Sequence, residues 1–329
     1  MSAPTALHGS ASGDIALGWR CLDAVIWLWR RLRIRALRPY AGYVLVLFSF
    51  LLVGLLAIGV ALLAWESIHE FDPVMVELLG FSWENYELVL SEPYYFRTFA
   101  RTLGISIVVT LVSIALALPL AYTMVRTRSR LARFTLLCIA FLPFLVGEMV
   151  RGYSWLIVLG RDGALAWVTD MIGLGAFTPI GTAFAVSLGI FQLLLPLAAL
   201  ILVPAVRAVD PELEEAAATL GGRPRRIWLF VIVPLARRGL AAAAAVCFTF
   251  SMTAFAMPTL LGLGRHDFVA NVIHLSYFAQ LNNALGAAVG ILLVIIVTLG
   301  VLLLLAGGEI SRLPWGRRRR APDRGAPPR

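Results

Sequence analysis

Residues 43–65 carry no charged side chain, and at the helical rise of 1.5 Å per residue they extend roughly 34 Å, enough to cross the hydrocarbon core of a bilayer. Lipid offers no partner for backbone amides, so such a run satisfies its own hydrogen bonds as a helix. Five further apolar runs follow, at 102–125, from 131 through Pro143, 180–206, 240–263 and 284–306. Composition points the same way. Of 329 residues, 60% are hydrophobic and 14% charged, and the mean hydropathy is +0.86, far more apolar than a soluble domain. The expected fold class is all-α, a polytopic membrane protein with six transmembrane helices.

A net charge of +9 would suggest nucleic acid in a soluble protein, but here the arginines gather at the ends of the spans, where they orient a membrane protein. Lipid is the expected contact, with no nucleic-acid partner. All 28 basic residues are arginine, so no lysine exists to serve a phosphate loop or a Schiff base, and the chain is not a P-loop ATPase. Cys21, Cys138 and Cys247 are scattered, as are the four histidines. That spacing suggests neither a disulfide framework nor a metal site, and buried small hydrophobes are the expectation for the cysteines. No nucleophile, base and orienting group recur together, so no catalytic residue and no bound cofactor are expected.

The charges divide the chain. Residues 1–39 form a cytoplasmic leader, small and polar to residue 13 and expected to be disordered there. Over 14–39 it mixes tryptophans with arginines, which fits either an interfacial helix or a loosely ordered basic segment. The acidic segment after the first span lies outside, with aromatic pairs Phe81 with Trp83 and Tyr94 with Tyr95. Its acids form a solvated face or attract cationic solutes; the solvated face is the simpler reading. Arg126, Arg128, Arg130 and Arg133 mark the next loop as cytoplasmic, whereas 160–179 and 265–283 are external connections. His266, Asp267 and His274 in the latter are expected at the surface. The basic tail 311–329 lies inside, so both termini are cytoplasmic.

Between the fourth and fifth spans, residues 210–238 carry a dense polar pattern. Asp210 is a good N-cap and Pro211 fits the first helical position. Glu212, Glu214 and Glu215 sit where the helix dipole favours carboxylates, and Ala216, Ala217 and Ala218 favour helix. Gly221 and Gly222 stop it, and Pro224 opens a second short helix that ends near Pro234. Two short helices meeting at a glycine elbow are expected.

Glu215-Ala216-Ala217, then Gly221, Val231 and Val233-Pro234 at fixed spacing resemble the EAA loop of ABC-transporter permeases, with Val231 and Val233 where Ile and Leu are usual. The other reading of this pattern is a solvated helical hairpin whose arginines only set topology. The resemblance implies a type I ABC importer permease fold over 40–310. It also implies that Glu214, Glu215, Ala216, Ala217, Gly221 and Pro234 dock a cytoplasmic ATPase dimer.

Residues 142–155 resemble the spermidine/putrescine branch of these permeases through Pro143, Val150, Arg151, Tyr153 and Trp155, with Glu148 where an apolar residue is usual. Glu148 and Arg151 are three apart on a helix and are expected to pair. Two roles stay open for them, an interfacial ion pair beside an aromatic belt or a gate on the translocation pathway with Tyr153, Trp155 and Pro258. Residues 257–264 also resemble that branch, with Phe255 and Ala256 where it often carries an acid.

What the resemblance implies is transport without bond chemistry in this chain, at the bacterial inner membrane. A periplasmic or extracellular solute-binding protein would deliver cargo, a second permease subunit of different sequence would complete the pathway, and the partner ATPase would use the ATP. Polyamines are the expected cargo; opines, ferric iron and thiamine are alternatives. An ion-coupled secondary transporter is the rival of another class, and it would draw on Glu148, the sole acid within a span.

Overall fold

Six apolar runs demand membrane helices, and the computed structural model, which describes residues 38–72, 77–173 and 175–310, is built of them. The leader expected over 1–37 and the basic tail 311–329, with Cys21, lie outside the described residues. Two compact units divide the chain, Met1–Leu62 and Leu63–Arg329. The described part of the first is the greater part of α1 (Arg38–Ser67), an apolar helix 30 residues long.

The second unit opens with a hairpin of β1 (His69–Asp72) and β2 (Glu77–Phe81), paired antiparallel with His69 opposite Phe81. Helices α2 (Glu84–Ser91), α3 (Pro93–Arg126), α4 (Arg130–Leu145), α5 (Glu148–Leu159), α6 (Ala164–Met171) and α7 (Ala183–Arg207) follow. Then come α8 (Pro211–Thr219), α9 (Pro224–Ile227), α10 (Val233–Met252), α11 (Ala256–Gly262), α12 (Val269–Phe278) and α13 (Asn283–Ile310). Among the described residues, five helices are long and apolar enough to cross a membrane, six if the bent pair Arg130–Leu145 and Glu148–Met171 is one span.

Four expectations need correction. The third span is not continuous, because the chain turns by 100° between α4 and α5. The fifth span ends at Met252, and the stretch to Gly262 is a separate helix, α11. The second arm of the elbow is no separate helix either. It enters α10 through one π-helical turn, Trp228–Ile232, within a single apolar helix Pro224–Met252. Pro234 lacks an amide proton and its ring crowds the preceding turn, and the wider π-turn absorbs that defect without ending the helix. Finally, the connections expected outside hold helices of their own, α6 and α12, and the acidic segment holds the hairpin and α2.

Small residues let the long helices pack closely, as they must where the surrounding lipid is as apolar as the core. Ala117 and Ala121 of α3 and Ala198, Ala199 and Leu202 of α7 are fully buried together. Where α10 meets α7, a Cβ on Gly239 would sit 2.2 Å from the Ala205 Cβ. A second cluster joins Phe248 and Met252 of α10 to Val269 and Val272 of α12 and to Leu285, Val289 and Leu293 of α13. Cys247 is buried as expected, whereas Cys138 is exposed.

Candidate functional site

The first site residues lie on the elbow. Asp210 caps α8 through its side chain, which accepts from the Glu212 amide at 3.0 Å. At the other end Gly222 donates to the Ala217 carbonyl and Gly221 to that of Ala218, both at 3.0 Å. This is the paired bonding of a Schellman cap. Gly221 has φ +82°, and a Cβ on Gly222 would lie 2.6 Å from the Ala217 oxygen. Both positions therefore require glycine.

Glu214 turns inward. Its Oε1 accepts from Arg126 Nη2 at 2.6 Å and Nε at 3.1 Å, and its Oε2 accepts from the Tyr122 hydroxyl at 2.8 Å. Arg126 also donates to the Val209 carbonyl at 2.7 Å, and the Tyr122 ring meets that of Trp228 at 5.0 Å. Val209, Glu214 and Trp228 are thereby fastened to the end of α3. Glu215 and Ala216 instead face outward, Ala217 is half-buried, and Gly221 and Pro234 are exposed. Beside them Leu213 and Leu220 are exposed, the latter by 89%.

The second group lies at the two helix breaks. Arg151 is 7% exposed, yet it forms no ion pair with Glu148. Its Nη1 donates to the Pro143 carbonyl at 2.8 Å and reaches that of Val146 at 3.5 Å. These are carbonyls that the end of α4 leaves without helical partners, and they carry the negative end of its dipole. A cation there is better spent on the broken helix than on a neighbouring carboxylate.

Glu148 and Arg151 line a cavity of about 220 Å³ with Ile190 of α7 and with Thr253, Ala254 and Phe255, the break between α10 and α11. Arg151 and Trp155 line another of about 310 Å³ with Gln192. Trp155 Nε1 donates to Gln192 Oε1 at 2.5 Å, tying α5 to α7. Tyr153 is 58% exposed and lines neither cavity, and Pro258 is buried within α11. Glu148, Arg151 and Trp155 are thus brought together, and Tyr153 and Pro258 are not.

Three participants escaped the sequence reading. Arg126 and Tyr122 close the brace on Glu214, and Asn271 of α12 donates to the Phe255 carbonyl at 3.1 Å, supporting the second break. The signal for Arg126 was an arginine at a span end with no acid nearby; Asn271 carried none.

No family model matches the chain. Over 284 residues it is 27% identical to the inner membrane ABC transporter permease protein YdcU of Escherichia coli, across 78% of this chain and 86% of that protein. It is 29% identical over 273 residues to the spermidine/putrescine transport system permease protein PotB of Escherichia coli, across 82% and 94%. To the molybdenum transport system permease protein ModB of Mycobacterium bovis it is 25% identical over 245 residues, across 74% and 89%. In structure it matches a bacterial ABC transporter involved in import of the acidic polysaccharide alginate, with a TM-score of 0.67 at 15% identity, across 86% of this chain and 98% of that one. A bacterial alginate transporter in complex with its periplasmic protein matches with a TM-score of 0.66 at 16% identity, across 84% and 95%. In sequence the chain is similar to ABC-transporter permeases, spermidine/putrescine permeases among them, and in fold to ABC importer permeases.

Proposed function

We propose that this permease moves polyamines inward across the bacterial inner membrane, powered by ATP that a separate cytoplasmic ATPase dimer hydrolyses. The observation that carries the cargo is the kinship with PotB, which extends over 82% of this chain. A binding protein on the outer side hands over the solute, in line with the periplasmic protein bound to the alginate transporter, and a second, different permease subunit completes the pathway.

The elbow faces the cytoplasm and is the ATPase-docking element. Glu215, Ala216 and the exposed Leu220 supply its outer face, while Glu214 holds the inner face to α3. Because α9 runs unbroken into α10, a push on the elbow reaches the Thr253–Phe255 break along one rod. The pathway runs through the cavities at Glu148, Arg151 and Trp155. A ligand shifts such an equilibrium only by binding its two states differently, so the elbow binds the ATPase differently in each.

The test is uptake by proteoliposomes holding the chain with its partner permease, ATPase and binding protein. Radiolabelled putrescine accumulates with ATP, and Glu215→Arg or Gly221→Asp abolishes accumulation while membrane insertion is normal. Full uptake by both variants excludes the docking role. Accumulation driven by a proton gradient without ATPase supports the secondary-transport rival, and uptake of molybdate in place of amines replaces the cargo.

A further inference from the structure

At the end of the bundle opposite the elbow lies a smaller cavity, of about 190 Å³, lined by Tyr94, Asp267, His274 and Phe255. Tyr94 and Arg126 stand at opposite ends of α3, about 48 Å apart at 1.5 Å per residue. Phe255 is common to this cavity and to the one that Glu148 lines, so it borders both. Each chamber holds one carboxylate, and neither Asp267 nor Glu148 has a cation within ion-pairing distance among the described residues.

Two nearby guanidinium groups are committed elsewhere. Arg101 donates to the backbone carbonyls of Asp267 and Arg265, not to the Asp267 carboxylate. Arg151 serves the α4 carbonyls. The ring of Phe255 is held on its outer side by His274, at 5.0 Å between centroids, and His274 is in turn stacked on Phe278 at 4.7 Å. On the backbone side, Asn271 fixes the Phe255 carbonyl. Phe255 therefore lies at the break between α10 and α11 and borders both chambers.

We propose that Asp267 and Glu148 are successive stations for the ammonium groups of an aliphatic diamine or polyamine, and that Phe255 is the gate between them. The inference rests on the amine reading of the cargo and gives it a path. A protonated amine is held by a carboxylate on one side, passes the aromatic face through a cation–π contact and is taken up by the carboxylate beyond. Both chambers are smaller than the 300–1,000 Å³ usual for bulkier ligands, which suits a thin methylene chain with charged ends. Two weak stations in series also release what they admit, as a pathway must.

The same proteoliposomes test it, with the whole transporter and radiolabelled putrescine at saturating binding protein. Asp267→Asn and Glu148→Gln each lower uptake about tenfold, the loss expected for one charge-assisted contact. Asp267→Glu, which keeps the charge, and Phe255→Tyr, which keeps the ring, retain most of it, whereas Phe255→Leu does not. If the wild type imports putrescine and Asp267→Asn and Phe255→Leu stay within about twofold of it, the stations are wrong and the amine reading survives. If the wild type imports no amine, both fall. If Asp267→Glu fails as badly as Asp267→Asn, the aspartate acts through shape rather than charge and the proposal is overturned.

Discussion

Two helices of this protein break off within or beside the bundle, and they do not end alike. At the elbow, α8 stops on Leu220 and satisfies its last carbonyls with its own next two amides, those of Gly221 and Gly222. At the end of α4 a side chain from elsewhere does that work, Arg151 from α5. The difference follows from the surroundings. An exposed elbow can fold its backbone tightly and leave the remainder to water. A break among apolar helices has few polar partners to call on, so a long donor is brought to it.

Removing the donor at the apolar break should therefore have the largest effect. Arg151→Leu leaves the Pro143 carbonyl without a partner in a region of low dielectric, and the expected loss is about 3 kcal/mol of stability. Arg151→Lys keeps a cation at the helix end and should recover part of it. Thermal unfolding of the purified chain in bicelles measures both; a leucine variant as stable as the wild type would erase the contrast between the two kinds of break.

At the elbow the corresponding lesion is steric. Gly222→Val places carbon against the Ala217 oxygen, which is backbone and cannot swing aside. About 2 kcal/mol is expected, the middle of the range for strain of this kind. ATP-driven uptake should suffer more than stability, because the direction in which α9 leaves the elbow changes. Comparing uptake with thermal unfolding in the same variant separates the two.

Asn271→Leu is milder. It removes one neutral donor from the Phe255 carbonyl, along with the bond to the Phe268 amide, at 2.9 Å, that starts α12. About 1 to 2 kcal/mol should be lost. Faster proteolysis between α10 and α12 would register the loosened hinge.

Much of this architecture was legible in the residues. Uncharged length marks the spans, and Asp210, Pro211, Gly221 and Gly222 mark both ends of α8, because local chemistry decides each. What could not be read depends on partners distant in sequence. Glu214 looks like its neighbour Glu215 until Arg126, 88 residues earlier, is placed beside it. The expected pairing of Glu148 with Arg151 was a local rule overridden by an unsatisfied helix end. Pro234 was expected to end a helix and Pro143 to lie within a span, yet a π-turn absorbs the first, whereas the chain turns sharply three residues after the second. Proline announces a defect in the hydrogen-bond ladder, and tertiary packing decides how it is repaired.

The smallest expected effect concerns how the elbow is seated rather than how it is folded. Its backbone is self-sufficient, but its position on α3 relies on the Glu214 carboxylate, which accepts from both Arg126 and Tyr122. Tyr122→Phe removes one of those donors and keeps the ring that packs on Trp228. Arg126 still holds the other oxygen, and the pair is only 20% and 15% exposed, so the ionic contact survives. The loss should be about 1 kcal/mol, near the net worth of a single hydrogen bond. If α8 is seated by this brace, a nitroxide on Ala216 should become more mobile in Tyr122→Phe, while a label within α7 is unaffected. Equal mobility at Ala216 in the two proteins would mean that the Schellman cap alone holds the elbow in place, and that Glu214 contributes charge without positioning.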